Sequence, residues 1–233
     1  ISSSKTKEYL SIYKDSLSCE IKKEFENIIN HISNQKNFSD ISYKIINLLR
    51  NNNEKDINKN SQQNYDQKSS AVTKKPSKNI RIKINFQLGE IYSIYLNNYE
   101  KSLKHFNKIV DDSNEPLWQV KSLEKIGEIY FNNLNDYEKS KEVFNKLSNF
   151  VPALKNENEY RYKYALSIFH NKEYTKSIVE LKSVIDLKHP EYSVEGYYYT
   201  GLAHFYKKEW NLAIENWNNY LRRIKQSDRI VDT

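Results

Sequence analysis

Apolar residues in the first fifty positions recur at helical intervals. Leu10, Leu17, Ile21, Phe25, Ile28 and Ile32 follow one another at spacings of 3, 4 or 7. That draws one stripe along a helix whose other faces carry Lys and Glu. A polar break from Asn34 to Asn37 interrupts the stripe. Ser39 is then placed to cap a second helix bearing Ile41, Ile45, Leu48 and Leu49. Two stripes and a short break predict an N-terminal αα-hairpin over residues 1–50. Residues 51–80 offer little to bury: Asn, Gln, Ser and Lys dominate, the entropy of ordering has no compensation, and a flexible polar linker is expected.

Beyond residue 80 the pattern repeats itself. "LGEIYSIYLNNYEKSLKHF" at 88–106 and "IGEIYFNNLNDYEKSKEVF" at 126–144 share 11 of 19 residues at an offset of 38. The small residues Gly89, Gly127, Ala165 and Gly201 mark four units at intervals of 38, 38 and 36. A second small residue follows each (Ser102, Ser140, Ser177, Ala213), and four positions later a large one (Phe106, Phe144, Leu181, Trp217). Tyr99, Tyr137, Tyr174 and Trp210 precede the second small residues by three, and Pro116, Pro152 and Pro190 punctuate unit ends. The physical content is two helices per unit. Small residues let the two backbones approach, and large ones fill the space beside the contact. "LNN", "LND" and "NKE" supply the turns. One such hairpin cannot bury its apolar faces alone, so neighbours must stack on it.

With these residues in view, the chain resembles the tetratricopeptide repeat family. "FQLGEIY" at 86–92 and "LEKIGEIY" at 123–130 are similar to the family's first helix, and "EWNLAIENW" at 209–217 to its second. The first two units depart by one extra residue in the turn and by Ser102 and Ser140 where Ala is usual; the third has Ala165 for Gly. Residues 1–50 lack the signature. The fold implied is all-α: a solenoid of about four helix-turn-helix units (81–116, 117–152, 153–190, 191–226), then a tail over 227–233.

The resemblance further implies a groove lined by the first helix of each unit and used to hold a protein or peptide partner. Carried over, the partner-binding positions are Phe86, Glu90, Glu128, Phe131, Tyr162, Phe169, Tyr198 and Phe205, with Lys83, Ile94, Glu124, Leu166 and Leu202 also turned inward. The expected groove is acidic towards its N-terminal half and rich in rings towards its C-terminal half. Rings at helical spacing serve cores as readily as sites. Phe86 and Glu90 stand where Lys, Arg or Asn would be needed to clamp a terminal carboxylate, which argues against that mode.

Composition narrows the function. The net charge of +7 is not gathered on one face: residues 51–80 carry three of the seven excess positive charges, and the first two units are each neutral. A module that reads nucleic acid concentrates Lys and Arg along a groove or helix, so a protein partner is favoured over the alternative of an RNA-binding helical-repeat array. The single cysteine, Cys19, excludes an intrachain disulfide. The abundance of Asn, Lys, Ile and Tyr resembles the output of an AT-rich bacterial genome. No apolar run reaches the roughly 18 residues of a membrane span. The chain starts at Ile1 and has no Met. Its natural start is therefore expected upstream, where a signal peptide or lipid anchor would make it a periplasmic or envelope-associated assembly factor; without one it would be cytoplasmic.

Catalytic chemistry finds no foothold. His31, His105, His170, His189 and His204 fall on different elements in no metal-ligand spacing, though His170 and His204 occupy nearby places in successive units. Four glycines allow no phosphate-binding loop, no nucleophile motif occurs, and Cys19 has no local basic partner. Glu124 and Glu128 share a helix face as solvated carboxylates commonly do. A non-catalytic interaction scaffold without metal or cofactor is expected.

Overall fold

The computed structural model describes residues 23, 24, 26–28, 78–112 and 114–231. Most of the N-terminal hairpin and of the linker, including Cys19 and His31, lies outside the described residues. Among those described, all regular structure is helical. The helices are α1 (Lys78–Ile94), α2 (Tyr99–Asp112), α3 (Pro116–Glu128) continued by a π-helical turn (Ile129–Asn133), α4 (Tyr137–Ser148), α5 (Glu157–His170), α6 (Tyr174–Asp186), α7 (Tyr192–Tyr206) and α8 (Trp210–Val231). They pair as the 36–38-residue period requires, a first and a second helix per unit. Three boundaries differ from expectation. Helix α8 runs on to Val231, through most of the stretch assigned to the C-terminal tail. Helix α1 begins at Lys78, three residues inside the span assigned to the linker. Pro116 opens α3 instead of closing the unit before it, because the first turn of a helix needs no N–H from that position.

The chain divides into two compact units, Ile1–His105 and Phe106–Thr233, the division falling inside α2. In the first unit α1 buries Ile82, Ile84, Leu88 and Ile91, and the Ser102 hydroxyl donates to the Gly89 carbonyl at 2.7 Å. His105 stacks on the Tyr92 ring at 5.6 Å, and one of its ring nitrogens bonds Asn85 at 3.0 Å. Tyr92 in turn donates to the Glu24 carboxylate, which also lies 3.7 Å from the Lys101 ammonium. The described stretch around the buried Ile28 therefore meets α1 and α2 within this unit.

In the second unit each helix packs on its sequence neighbours from α3 to α8, and α5 also meets α7. The small positions do what their spacing predicts. A Cβ built on Gly127 would stand 2.9 Å from Cζ of the buried Phe144, and one on Gly201 2.6 Å from the Trp217 indole. The Ser177 hydroxyl donates to the Ala165 carbonyl at 3.2 Å, as Ser102 does to Gly89 in the first unit, while Ser140 bonds the Ser167 hydroxyl at 3.0 Å. Serine thus replaces alanine at the contact without leaving a buried hydroxyl unpaired. Phe144, Leu147, Leu181 and Val184 complete the interior beside these contacts.

The turn inside each unit is also repeated. Asn97, Asn135, Lys172 and Lys208 take positive φ angles of 48°, 52°, 64° and 62°, reversing the chain after the first helix. Asn98 and Asp136 then accept from the amides of Lys101 and Lys139 at 3.1 and 3.2 Å, capping α2 and α4. The extra residue of the second unit appears as the π-helical turn, closed by Leu134 N–H on the Ile129 carbonyl at 3.0 Å, a single wide turn of the kind that absorbs an insertion.

Candidate interaction face

The first helices of the second unit, α3, α5 and α7, carry most of the positions expected to meet a partner. Glu128 is half-buried and already answered by cations, Lys125 at 3.5 Å and Lys163 at 3.6 Å. Glu124 accepts the Tyr160 hydroxyl. Two carboxylates of the expected groove's acidic half are thus already engaged within the chain, one by cations and one by a hydroxyl. Phe131, half-buried on the π-helical turn, stands edge-on to Tyr137 and His170 at 5.4 Å each. Tyr162 is half-buried, stacked on Tyr192 at 5.3 Å and edge-on to Tyr199 at 6.3 Å. Phe169 is only 6% exposed and shares a core with Ile178 and Ala203; Leu166 is buried too. Phe169 fills the seam between α5, α6 and α7. Tyr198 and Phe205 lie open, at 37% and 43% exposed. In the first unit, Phe86 and Glu90 on α1 are half-buried.

The rings form one connected series. Tyr137 stacks on His170 at 4.7 Å, and His170 meets Phe169 and Tyr199 edge-on. Tyr199 adjoins Tyr198 at 5.2 Å, which reaches Tyr220 of α8 at 5.4 Å. Tyr174 stacks on Tyr206 at 5.1 Å, and Phe205 touches Tyr206, Trp210 and Trp217 within 6 Å. Edge-to-face and offset contacts of this kind are each favourable beyond the area they bury. Burial among them holds the His170 ring below its ordinary pKa, so its neutral form is favoured. His204 does not turn towards His170: it is buried, with Nδ1 2.6 Å from the Glu209 carboxylate. That bond, followed by one from Lys207, keeps Glu209 below the usual carboxylate range.

One acidic residue differs from all these. Glu195 of α7 is half-buried and, among the described residues, has neither an ion pair nor a hydrogen bond to its carboxylate. Burial, then the nearby Glu191, pushes its pKa up. Its position was readable: Lys83 stands six residues before Gly89 and was assigned to the inner face, and Glu195 stands six before Gly201. Its lack of a partner was not, since that depends on which cations α5 and α8 bring near.

Among the described residues, no group of three or more His, Cys, Asp or Glu side chains could hold a metal, and no helix is long and apolar enough to cross a membrane. Stacked two-helix units with small residues at the contact within each pair define a helical-repeat protein whose open rings lie on α7 and the start of α8. Residues 121–152, which run from α3 through the π-helical turn and α4 to Pro152, match the tetratricopeptide repeat family model. That stretch holds Gly127, Ser140 and Phe144 in the register given above, and it supports the identification of a tetratricopeptide repeat protein. No curated protein matches the chain.

Proposed function

We propose that this protein is a non-catalytic scaffold that holds a partner protein against the face formed by α5, α7 and the adjoining side of α8. Tetratricopeptide repeats suggest protein interaction in general, and the observation that favours this face is its row of open rings. Tyr198, Phe205, Tyr206 and Trp210 are all exposed, and contacts within 6 Å join Phe205, Tyr206 and Trp210 into one group. A contiguous apolar surface of this kind carries a cost in water unless something covers it. Aromatic side chains dominate binding energy where interfaces have been dissected. The partner element of matching chemistry is a peptide or amphipathic helix with apolar anchors.

The test uses the whole chain as bait in its native cell. Tyr198→Ala combined with Phe205→Ala removes two exposed rings without touching the buried contacts, so circular dichroism should be unchanged. A specific protein partner should be recovered by the parent chain and lost, or weakened by at least about tenfold, with the double variant. Capture that survives both changes, or that disappears only when residues 1–50 are removed, moves the partner site away from α5, α7 and α8.

A further inference from the structure

The open rings do not surround a purely apolar surface. Glu195 sits on the same side of α7 as Tyr198 and Tyr199, one turn earlier. Tyr199 meets Tyr162 of α5 at 6.3 Å and Tyr198 meets Tyr220 of α8 at 5.4 Å, so tyrosines from three helices gather along this side of α7; burial first, and then Glu195, raises the pKa of Tyr199 and of Tyr220. Two cations of the adjoining helices α5 and α8 have other commitments. Lys163 is 2.7 Å from Glu159 and 3.6 Å from Glu128. Arg223 lies 4.2 Å over the Tyr197 ring and donates to the Asn219 carbonyl. Among the described residues, the charge that acts on Glu195 is that of Glu191, of the same sign. A half-buried carboxylate with no counter-charge among the described residues, beside a second carboxylate and close to tyrosine rings, is an expensive arrangement for a fold to keep. It is also the arrangement that a cation completes, through a charge-assisted hydrogen bond to the carboxylate and attraction to the ring faces.

We propose that Glu195, with Tyr162, Tyr199 and Tyr220 around it, receives a lysine or arginine side chain of the partner protein, whose apolar anchors meet Tyr198 and Phe205. This rests on the assignment of the α5–α7–α8 face to a partner and adds the chemistry of the segment that binds there: a basic residue flanked by apolar ones. A terminal carboxylate or an acidic peptide would meet Glu195 and Glu191 as like charges and be rejected.

The test needs no knowledge of the partner. Two nine-residue alanine peptides, capped at both ends, carry either lysine or norleucine at the centre and are titrated into the full chain at low salt. Ring resonances of Tyr162, Tyr199 and Tyr220 are followed by NMR. The lysine peptide should shift them saturably, at least about tenfold more tightly than the norleucine peptide, and its advantage should fall as salt screens the pair. Glu195→Gln should erase the difference between the two peptides; Glu195→Asp should keep part of it. Equal response to both peptides, no saturable shift with either, or undiminished lysine binding by the Gln variant would overturn the inference. A partner whose capture depends on Tyr198 and Phe205 while these titrations fail would remove the cation site alone. Loss of that dependence would remove the docking face itself.

Discussion

At the scale of single residues, Glu195 sets function against stability. Burial raises its folded pKa above the ordinary 4.5, so the folded state favours the protonated acid more than the unfolded chain does. That contribution is fully present below about pH 4.5 and is lost as pH rises through the folded value. Glu195→Gln carries no charge at any pH and escapes the loss. The variant should melt higher than the parent at pH 7.5, and the advantage should vanish near pH 4. Thermal melts at the two pH values check this; a variant that melts lower at pH 7.5 would reveal a cation within the chain that satisfies Glu195. A substitution that stabilises the fold while weakening binding marks a residue kept for the partner. The neighbouring positions show why such a residue is hard to read in advance. Tyr162, Phe169 and Tyr198 all stand at helical spacings from the repeat marker. Yet Phe169 closes a core and Tyr198 stays open, because the facing helix decides and its side chains come from the next unit.

At the scale of helices, the repeat was legible because small residues tolerate few surroundings. Gly127 had to lie at a crossing if the period meant anything, and Phe144 stands against it as the large residue four beyond Ser140. Gly127→Leu would drive a branched side chain into Phe144, which is 1% exposed and has no open side to move towards. The expected loss is about 3 kcal/mol or more, beyond the roughly 1 kcal/mol of helix propensity regained on leaving glycine. Gly201 makes the sharper contact but the milder test. Trp217 is half-buried and can swing aside, giving up its Nε1 hydrogen bond to the Tyr198 carbonyl. Gly201→Ala should therefore cost less than Gly127→Leu in denaturant unfolding, and the reverse order would place the α7–α8 contact deeper than the α3–α4 contact. The form of the extra residue in the second unit was not legible. An insertion into a turn can lengthen the loop or widen the helix. The π-helical turn at Ile129–Asn133 keeps Ile129 buried and Phe131 beside Tyr137 and His170, which a longer loop would not.

At the scale of the whole molecule, what matters is how far stability travels along the chain. Contacts in the second unit run between sequence neighbours, with α5 to α7 the longest step, so the energy of the array is close to a sum of units and the interfaces between them. Every residue named in the docking face and at the cation site belongs to Phe106–Thr233. A chain restricted to residues 106–233 should therefore fold alone as a helical, cooperative unit. Truncation removes α1 and cuts α2 in half, and the shortened chain should melt roughly 5–10 °C lower for the one or two kcal/mol that the cut helix forfeits. The residue-scale properties should come through intact: the shorter chain should bind the central-lysine peptide within about threefold of the parent, since among the described residues no contact at Glu195 reaches back past residue 106. Differential scanning calorimetry and the same NMR titration decide it. A truncated chain that is helical but melts without a cooperative transition would show that the units depend on one another over more than nearest neighbours. A truncated chain that melts sharply but ignores lysine would show that the site needs more than Phe106–Thr233, and would overturn its assignment to α5, α7 and α8.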